Sequence, residues 1–297
     1  MRQRWLLIFI LLGVALLLTV SVFYTLEKEK PVELPKLTDL EANRIISIHI
    51  ERKDAQPISL LKKQPDIWQM TMPYHLPGNH IRINRLLKML SARQYKPLEM
   101  AELNLAELKL DEPLATVKFN QLTVAFGDRS PINNGQRYML IKQKVYLLAD
   151  TAYQSLNDNA LAFVSLSPLG NNPKITALKM PGYSMVLKEG QWHFTSTTLS
   201  SDEIDTSQDA LNTFIDNWQR LQAFSVEAYT EGSDETSIQG EIDISLLDQA
   251  QTLHLTIMST QQTFVLGRNE KGVQYQLPIS QADKLLHLPT KSQAEKN

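Results

Sequence analysis

The sequence predicts an α+β fold: an N-terminal transmembrane helix followed by a duplicated unit of antiparallel strands with one long helix per copy. Three observations predict it. Residues 5–24 (WLLIFILLGVALLLTVSVFY) carry no charge. Beyond them, short runs alternate apolar and polar residues, as half-buried strands do. The same order of strands and helix then returns about 125 residues later.

The apolar run comes first. A twenty-residue helix at about 1.5 Å per residue is roughly 30 Å long, the thickness of a bilayer's hydrocarbon core. Arg2 and Arg4 precede it, while Glu27, Lys28, Glu29 and Lys30 cancel after it. The positive-inside rule then makes residues 1–4 a cytoplasmic tail and sends the rest of the chain across. Trp5 and Tyr24 bracket the span as interfacial aromatics do. A cleavable signal peptide would have an apolar core of about 7–15 residues and a small-x-small site. The run is longer, and TVSVF at residues 19–23 is a poor site, so the anchor is expected to stay uncleaved.

Composition bounds the chemistry. The chain has no cysteine, which excludes disulfides, thiolate zinc sites, thiol catalysis and lipid attachment at a cysteine. Without Arg2 and Arg4 there are 28 basic and 32 acidic residues. This mild acidity gives no general reason to bind nucleic acid. The remaining chain is long enough to bury a large core.

Residues 25–44 read as a linker and short helix. Pro31 and Pro35 among charges make an extended spacer, and Thr38-Asp39-Leu40-Glu41 fits a capping box. A first α+β repeat is expected over residues 45–169. Ile46, Ile48 and Ile50 alternate, then Ile58 and Leu60, then Trp68, Met70 and Met72. Residues 81–93 turn helical. A second repeat is expected over 170–289, with strands at 175–180, 184–188 and 191–195 and a helix at about 207–224. Trp68 matches Trp192. Continuing the match, residues 117–119 and 122–126 pair with 253–257 and 263–266, Gly127-Asp128-Arg129 with Gly267-Arg268-Asn269, and Tyr138 with Tyr275. Residues 145–148 then form an extra strand in the first copy, residues 150–156 a short helix, and residues 290–297 a disordered tail.

No residue pattern carries catalysis, and no catalytic, cofactor-binding or metal-binding residue is assigned. Among His49, His75, His80, His193, His254 and His287 there is no HExxH pair. His75 and His80 flank a Pro-Gly turn and read as a solvated loop rather than a metal site. Residues 200–209 (SSDEIDTSQD) lack the spacing of a calcium loop and read as a helix cap. Gly127-Asp128-Arg129 reads as a hairpin turn. The helices say more. At about 100° per residue, Ile83, Leu86, Leu87 and Leu90 share one face, and Arg82, Arg85, Arg93 and Lys96 gather opposite, with Lys88 beside them. In the second copy Leu211, Phe214, Ile215 and Trp218 are the apolar face, backed by Asp209, Asn212, Asp216 and Gln219. Arg82, Arg85, Arg93 and Lys96 are therefore the candidate interaction face, for anionic headgroups or an acidic partner.

The landmarks LTDLEANRIISIHI, WQMTMP, LLKMLS, LKLDEPLATV, VAFGD, QRYM and VYLL resemble an uncharacterised bacterial envelope family, domain of unknown function 4340. Lys109-Leu110 departs from the Gly-Leu often found before that proline. The resemblance implies a single-pass protein of the bacterial inner membrane with a cytoplasmic N-terminus and a periplasmic main domain. Some relatives lie beside, or are fused to, ABC-transporter subunits, which implies an accessory role next to a membrane complex. The expected function is non-enzymatic: an interaction module with an envelope protein partner, no cofactor and no nucleic acid. The alternative is a small-ligand or glycan binder using a cleft between the repeats.

Overall fold

The computed structural model describes residues 12–19, 35–93, 95–132, 135–198, 204–231, 237–247 and 249–291. Residues 12–19 are helical, with Leu12, Leu16, Leu17 and Leu18 exposed. The rest of the expected span lies outside the described residues. Among the described residues no helix is long and apolar enough to cross a membrane.

Two antiparallel sheets form the body. The first contains β1 (Ser47–Arg52), β2 (Ala55–Gln64), β3 (Ile67–Met72), β4 (Leu76–Pro77), β5 (Tyr95–Leu98), β6 (Ala115–Phe119), β7 (Leu122–Arg129), β8 (Gln136–Ile141) and β9 (Lys144–Ala149), in spatial order 4-3-2-1-6-7-8-9-5. The second contains β10 (Ile175–Met180), β11 (Tyr183–Lys188), β12 (Gln191–Ser196), β13 (Ser225–Ala228), β14 (Ser237–Leu246), β15 (Leu253–Ser259), β16 (Thr263–Arg268) and β17 (Val273–Pro278), in order 12-11-10-14-15-16-17-13. With β4 set aside, the two orders coincide strand for strand. Each unit places one longer helix after its third strand: α1 (His80–Lys88) and, beyond α2 (Thr151–Leu156), α3 (Gln208–Gln219). The two sheets fit a duplicated unit.

The sequence dictates these elements locally. Alternation turns Ile48 and Ile50 inward from β1 and leaves His49 and Glu51 on the outer face. Asn79 caps α1 by accepting from Arg82 N at 3.2 Å, and Ser207 caps α3 by accepting from Ala210 N at 3.4 Å. α1 buries Ile83, Leu86 and Leu87. α3 buries Leu211, Phe214, Ile215 and Trp218. Trp68 and Trp192, each the second residue of its strand, are 1% and 6% exposed. A last helix, α4 (Ala282–Leu286), is tied to the second core through its carbonyls. Trp218 Nε1 donates to Leu285 O and the Tyr183 hydroxyl to Leu286 O, both at 3.0 Å. Burial pushes the Tyr183 phenol above its ordinary pKa.

Sheet order corrects several expectations. β14 is the counterpart of β6, so β9 is no extra strand: it matches β17. Tyr275 therefore belongs with the strand carrying Tyr146, not with Tyr138. β14 is broken by a bulge between Ile238 and Gly240 and carries Glu241 and Asp243, which disguised the inward run Ile242, Ile244, Leu246. The second helix ends at Gln219, and residues 221–224 lead into the edge strand β13. The capping box does not form. Thr38 is buried and donates to Leu90 O at 3.0 Å, and only a 3-10 turn, Ala42–Arg44, follows. Gly127-Asp128-Arg129 lies inside β7 rather than in a turn. A Cβ on Gly127 would sit 2.2 Å from Leu108 O, so the glycine permits residues 105–114 to cross that strand.

The connector between the units is buried rather than exposed. Leu161, Phe163 and Val164 are at most 1% exposed. Asn79 N donates to Phe163 O at 2.7 Å, Ser165 N to Pro77 O at 2.7 Å, and Ala223 N to Leu166 O at 2.8 Å. It thus bonds the segment before α1 to the segment after α3.

Candidate functional site

The four residues of the expected basic face do not share one helix face. α1 ends at Lys88, a 3-10 turn covers Met89–Ser91, and Ala92 is extended. Arg93 therefore falls in the following loop, where it is itself partnered, and Lys96 lies on β5. Arg82 is drawn away from solvent. It pairs with Asp158, donates to Ser155 O at 3.3 Å and stands 5.7 Å from the Phe163 ring centroid. Arg85 and Lys88 remain exposed in the last turn of α1, where they complement the helix dipole. On α3, Asp209, Asn212 and Asp216 are exposed, whereas Gln219 accepts from Ile175 N at 3.1 Å and donates to Asp216 at 3.2 Å.

A buried charge cluster escaped sequence reasoning. The Asp150 side chain is 3% exposed and accepts from Arg137 Nε at 2.5 Å and Arg129 Nε at 2.6 Å. Arg137 also donates to Gly127 O, and its guanidinium lies 3.7 Å from the Tyr153 ring centroid. Every member is satisfied, so the cluster locks β7, β8 and α2 together rather than offering a reactive group. Nearby, a hydrogen bond from Lys109 holds the Asp128 carboxyl below its ordinary pKa.

The outer sheet faces carry histidines. His49 Nδ1 is 2.8 Å from Ser59 Oγ and its Nε2 is 3.2 Å from Glu51 Oε1. On the second sheet, His254 Nδ1 is 2.7 Å from Asp243 Oδ1, and Lys179 Nζ is 3.5 Å from the other Asp243 oxygen. The first group has the composition of a nucleophile–base–acid relay. Ser59, however, sits mid-ladder between His49 and Met72, so the neighbouring N–H groups are spent on strand pairing and do not converge on an oxyanion. Cross-strand pairing of polar side chains accounts for the arrangement. His75 is exposed, and His80 opens α1. Among the described residues no group of three or more His, Asp or Glu could hold a metal ion.

Two hollows matter for binding. Between the units lies a cleft of about 170 Å³ lined by Asn79, His80, Ser165, Ser167, Gln219 and Gln222, among others. Its polar groups are uncharged amides and hydroxyls with one imidazole. Trp68 and Trp192 are in the cores and do not line it. At one end of the first sheet a larger hollow, about 760 Å³, lies between Leu40, Ile46, the β6–β7 turn and Lys142.

Comparison with known proteins supplies the family. A family model described as Domain of unknown function (DUF4340) matches residues 68–239. No curated protein and no solved structure matches the chain. The matched stretch runs from β3 through α1 and α3 into β14, more than half of the chain and parts of both sheets. The chain belongs to the DUF4340 family, a domain of unknown function.

Proposed function

We propose that this protein is a single-pass, membrane-anchored module of the bacterial inner membrane. Its N-terminus is cytoplasmic and its two-sheet body is periplasmic. Its role is non-enzymatic: it binds another envelope protein, next to a membrane complex such as an ABC transporter. The observation that carries this reading is the uncharged run at residues 5–24, preceded by Arg2 and Arg4 and followed by a fold that starts near Leu37. A reporter enzyme active only in the periplasm, fused after Asn297, is expected to be active. Activity only from a cytoplasmic reporter would remove the reading.

A second reading is favoured by one observation, the polar cleft between the units. Its neutral hydrogen-bonding groups suit a hydroxyl-rich small ligand such as a sugar. Burial of Trp68 and Trp192 counts against it, because no stacking platform is left from that pair. Calorimetric titration with monosaccharides tests it; heat that persists in Gln222→Ala would place any binding elsewhere.

A further inference from the structure

We infer that one end of the first sheet docks on anionic lipid headgroups of the membrane that holds the anchor. This rests on the anchor reading above and goes beyond it by naming the surface and its partner.

Antiparallel pairing brings distant residues to this end. β1 begins here, β2 and β3 turn here at Gln64–Asp66, and β6–β7 and β8–β9 turn here at Asn120 and at Lys142–Gln143. The lysines flanking those turns, Lys62, Lys63, Lys142 and Lys144, are 82 residues apart in sequence at their extremes yet share one rim. Lys63, Lys142 and Lys144 are exposed and without ion pairs among the described residues. Lys62 is held by Asn43 O at 3.2 Å beside the Trp68 ring. The acids at this end are fewer. Glu41 pairs with Arg44 at 3.3 Å, which leaves Asp39, Asp66 and Glu99 against four lysines.

Ile46 projects among these charges, 63% exposed, with Leu61 beside it at 41%. A hollow lies on each side of Ile46, about 760 Å³ towards Lys142 and about 490 Å³ towards Lys62 and Lys63. An apolar tip ringed by ammonium groups matches the headgroup–acyl boundary of an anionic leaflet.

The length of the tether selects a membrane over other anionic surfaces. Ten residues, 25–34, separate the apolar run from Pro35. Fully extended they reach at most about 36 Å. Leu40, only five residues past Pro35, already lines the hollow beside Ile46 and Lys142. The chain therefore enters the fold at this end.

The absence of cysteine makes single-cysteine labelling clean. The full chain is reconstituted in nanodiscs of phosphatidylcholine, with or without phosphatidylglycerol, containing headgroup-spin-labelled lipid. A fluorophore is placed at Gln121→Cys, on this end, or at Lys53→Cys, on the opposite end. In anionic discs the Gln121→Cys label is expected to be quenched several-fold more than the Lys53→Cys label. The difference should vanish in about 1 M salt, where the Debye length falls to roughly 3 Å. It should also vanish in the triple variant Lys63→Gln, Lys142→Gln, Lys144→Gln, whose melting temperature is unchanged. Retention in the discs with equal quenching at both positions, or quenching indifferent to salt and to the triple variant, would overturn the docking and leave the anchor standing. Release of the unmodified chain by alkaline carbonate would overturn both.

Discussion

The two sheets share a strand order but protect their first edge differently. In the first unit the edge of β3 is covered by backbone. Leu76 pairs with Met70, Pro77 with Gln69, and Gly78 N donates to Trp68 O at 2.7 Å. Among the described residues of the second unit no such strand follows β12. A side chain stands in for it: Gln208 Oε1 accepts from Trp192 N and Gln208 Nε2 donates to Trp192 O, both at 2.8 Å. An edge strand exposes the N–H and C=O of alternate residues on the same side, and a primary amide offers one acceptor and one donor at matching spacing. A repeated fold thus keeps the requirement, an edge satisfied beside the buried tryptophan, while changing the group that meets it.

The comparison breaks most severely in the cores. Trp68→Ala and Trp192→Ala are each expected to cost about 3–5 kcal/mol in denaturant unfolding, with Trp68 the larger because it is the more buried. Equal and small losses would deny the two residues a common role. Asp150→Ala, which has no counterpart described in the second unit, should cost about 3 kcal/mol by leaving Arg137 buried without its carboxylate. A loss confined to a few tenths would show the cluster to be well solvated.

Gln208→Ala sharpens the comparison at the edge itself. About 1 kcal/mol is expected from the two lost bonds, together with greater self-association in sedimentation, because the unshielded strand becomes a template for pairing. Gln208→Glu keeps the acceptor and loses the donor, so its effect should fall between. The smallest effect is that of Asp128, 45% exposed and paired with Lys109. Its folded pKa lies below the ordinary value of 3.8. Its contribution is therefore present above that value and lost as pH falls through the folded pKa. Solvent screening keeps it under about 1 kcal/mol. Acid titration of stability should be slightly shallower below pH ~4 in Asp128→Asn than in the parent.

Much of this architecture is written in local pattern. The inward isoleucines of β1, the apolar stripes of α1 and α3, and the paired tryptophans all follow from residues within a few positions of one another. What escaped is either edge or distant. β5 reads YKPL, and Lys96 and Pro97 are the residues that blunt an edge strand, so the sequence there argues against a strand. Arg82 looked free because its partner, Asp158, is 76 positions away. The Asp150 cluster draws Arg129 and Arg137 from two strands, and the rim of lysines needs the ladder register before Lys63 and Lys142 fall at the same end of the sheet.

The buried connector sets how the body responds to heat and proteases. Tandem units joined by an exposed linker melt in separate steps and are cut apart by brief digestion. Here Leu161, Phe163 and Val164 sit within a single apolar cluster continuous through both sheets, and the connector's backbone is bonded to both sides. Neither half can open without exposing the other's core. The body should give one calorimetric peak, and limited digestion should not yield two stable halves divided near Ser165.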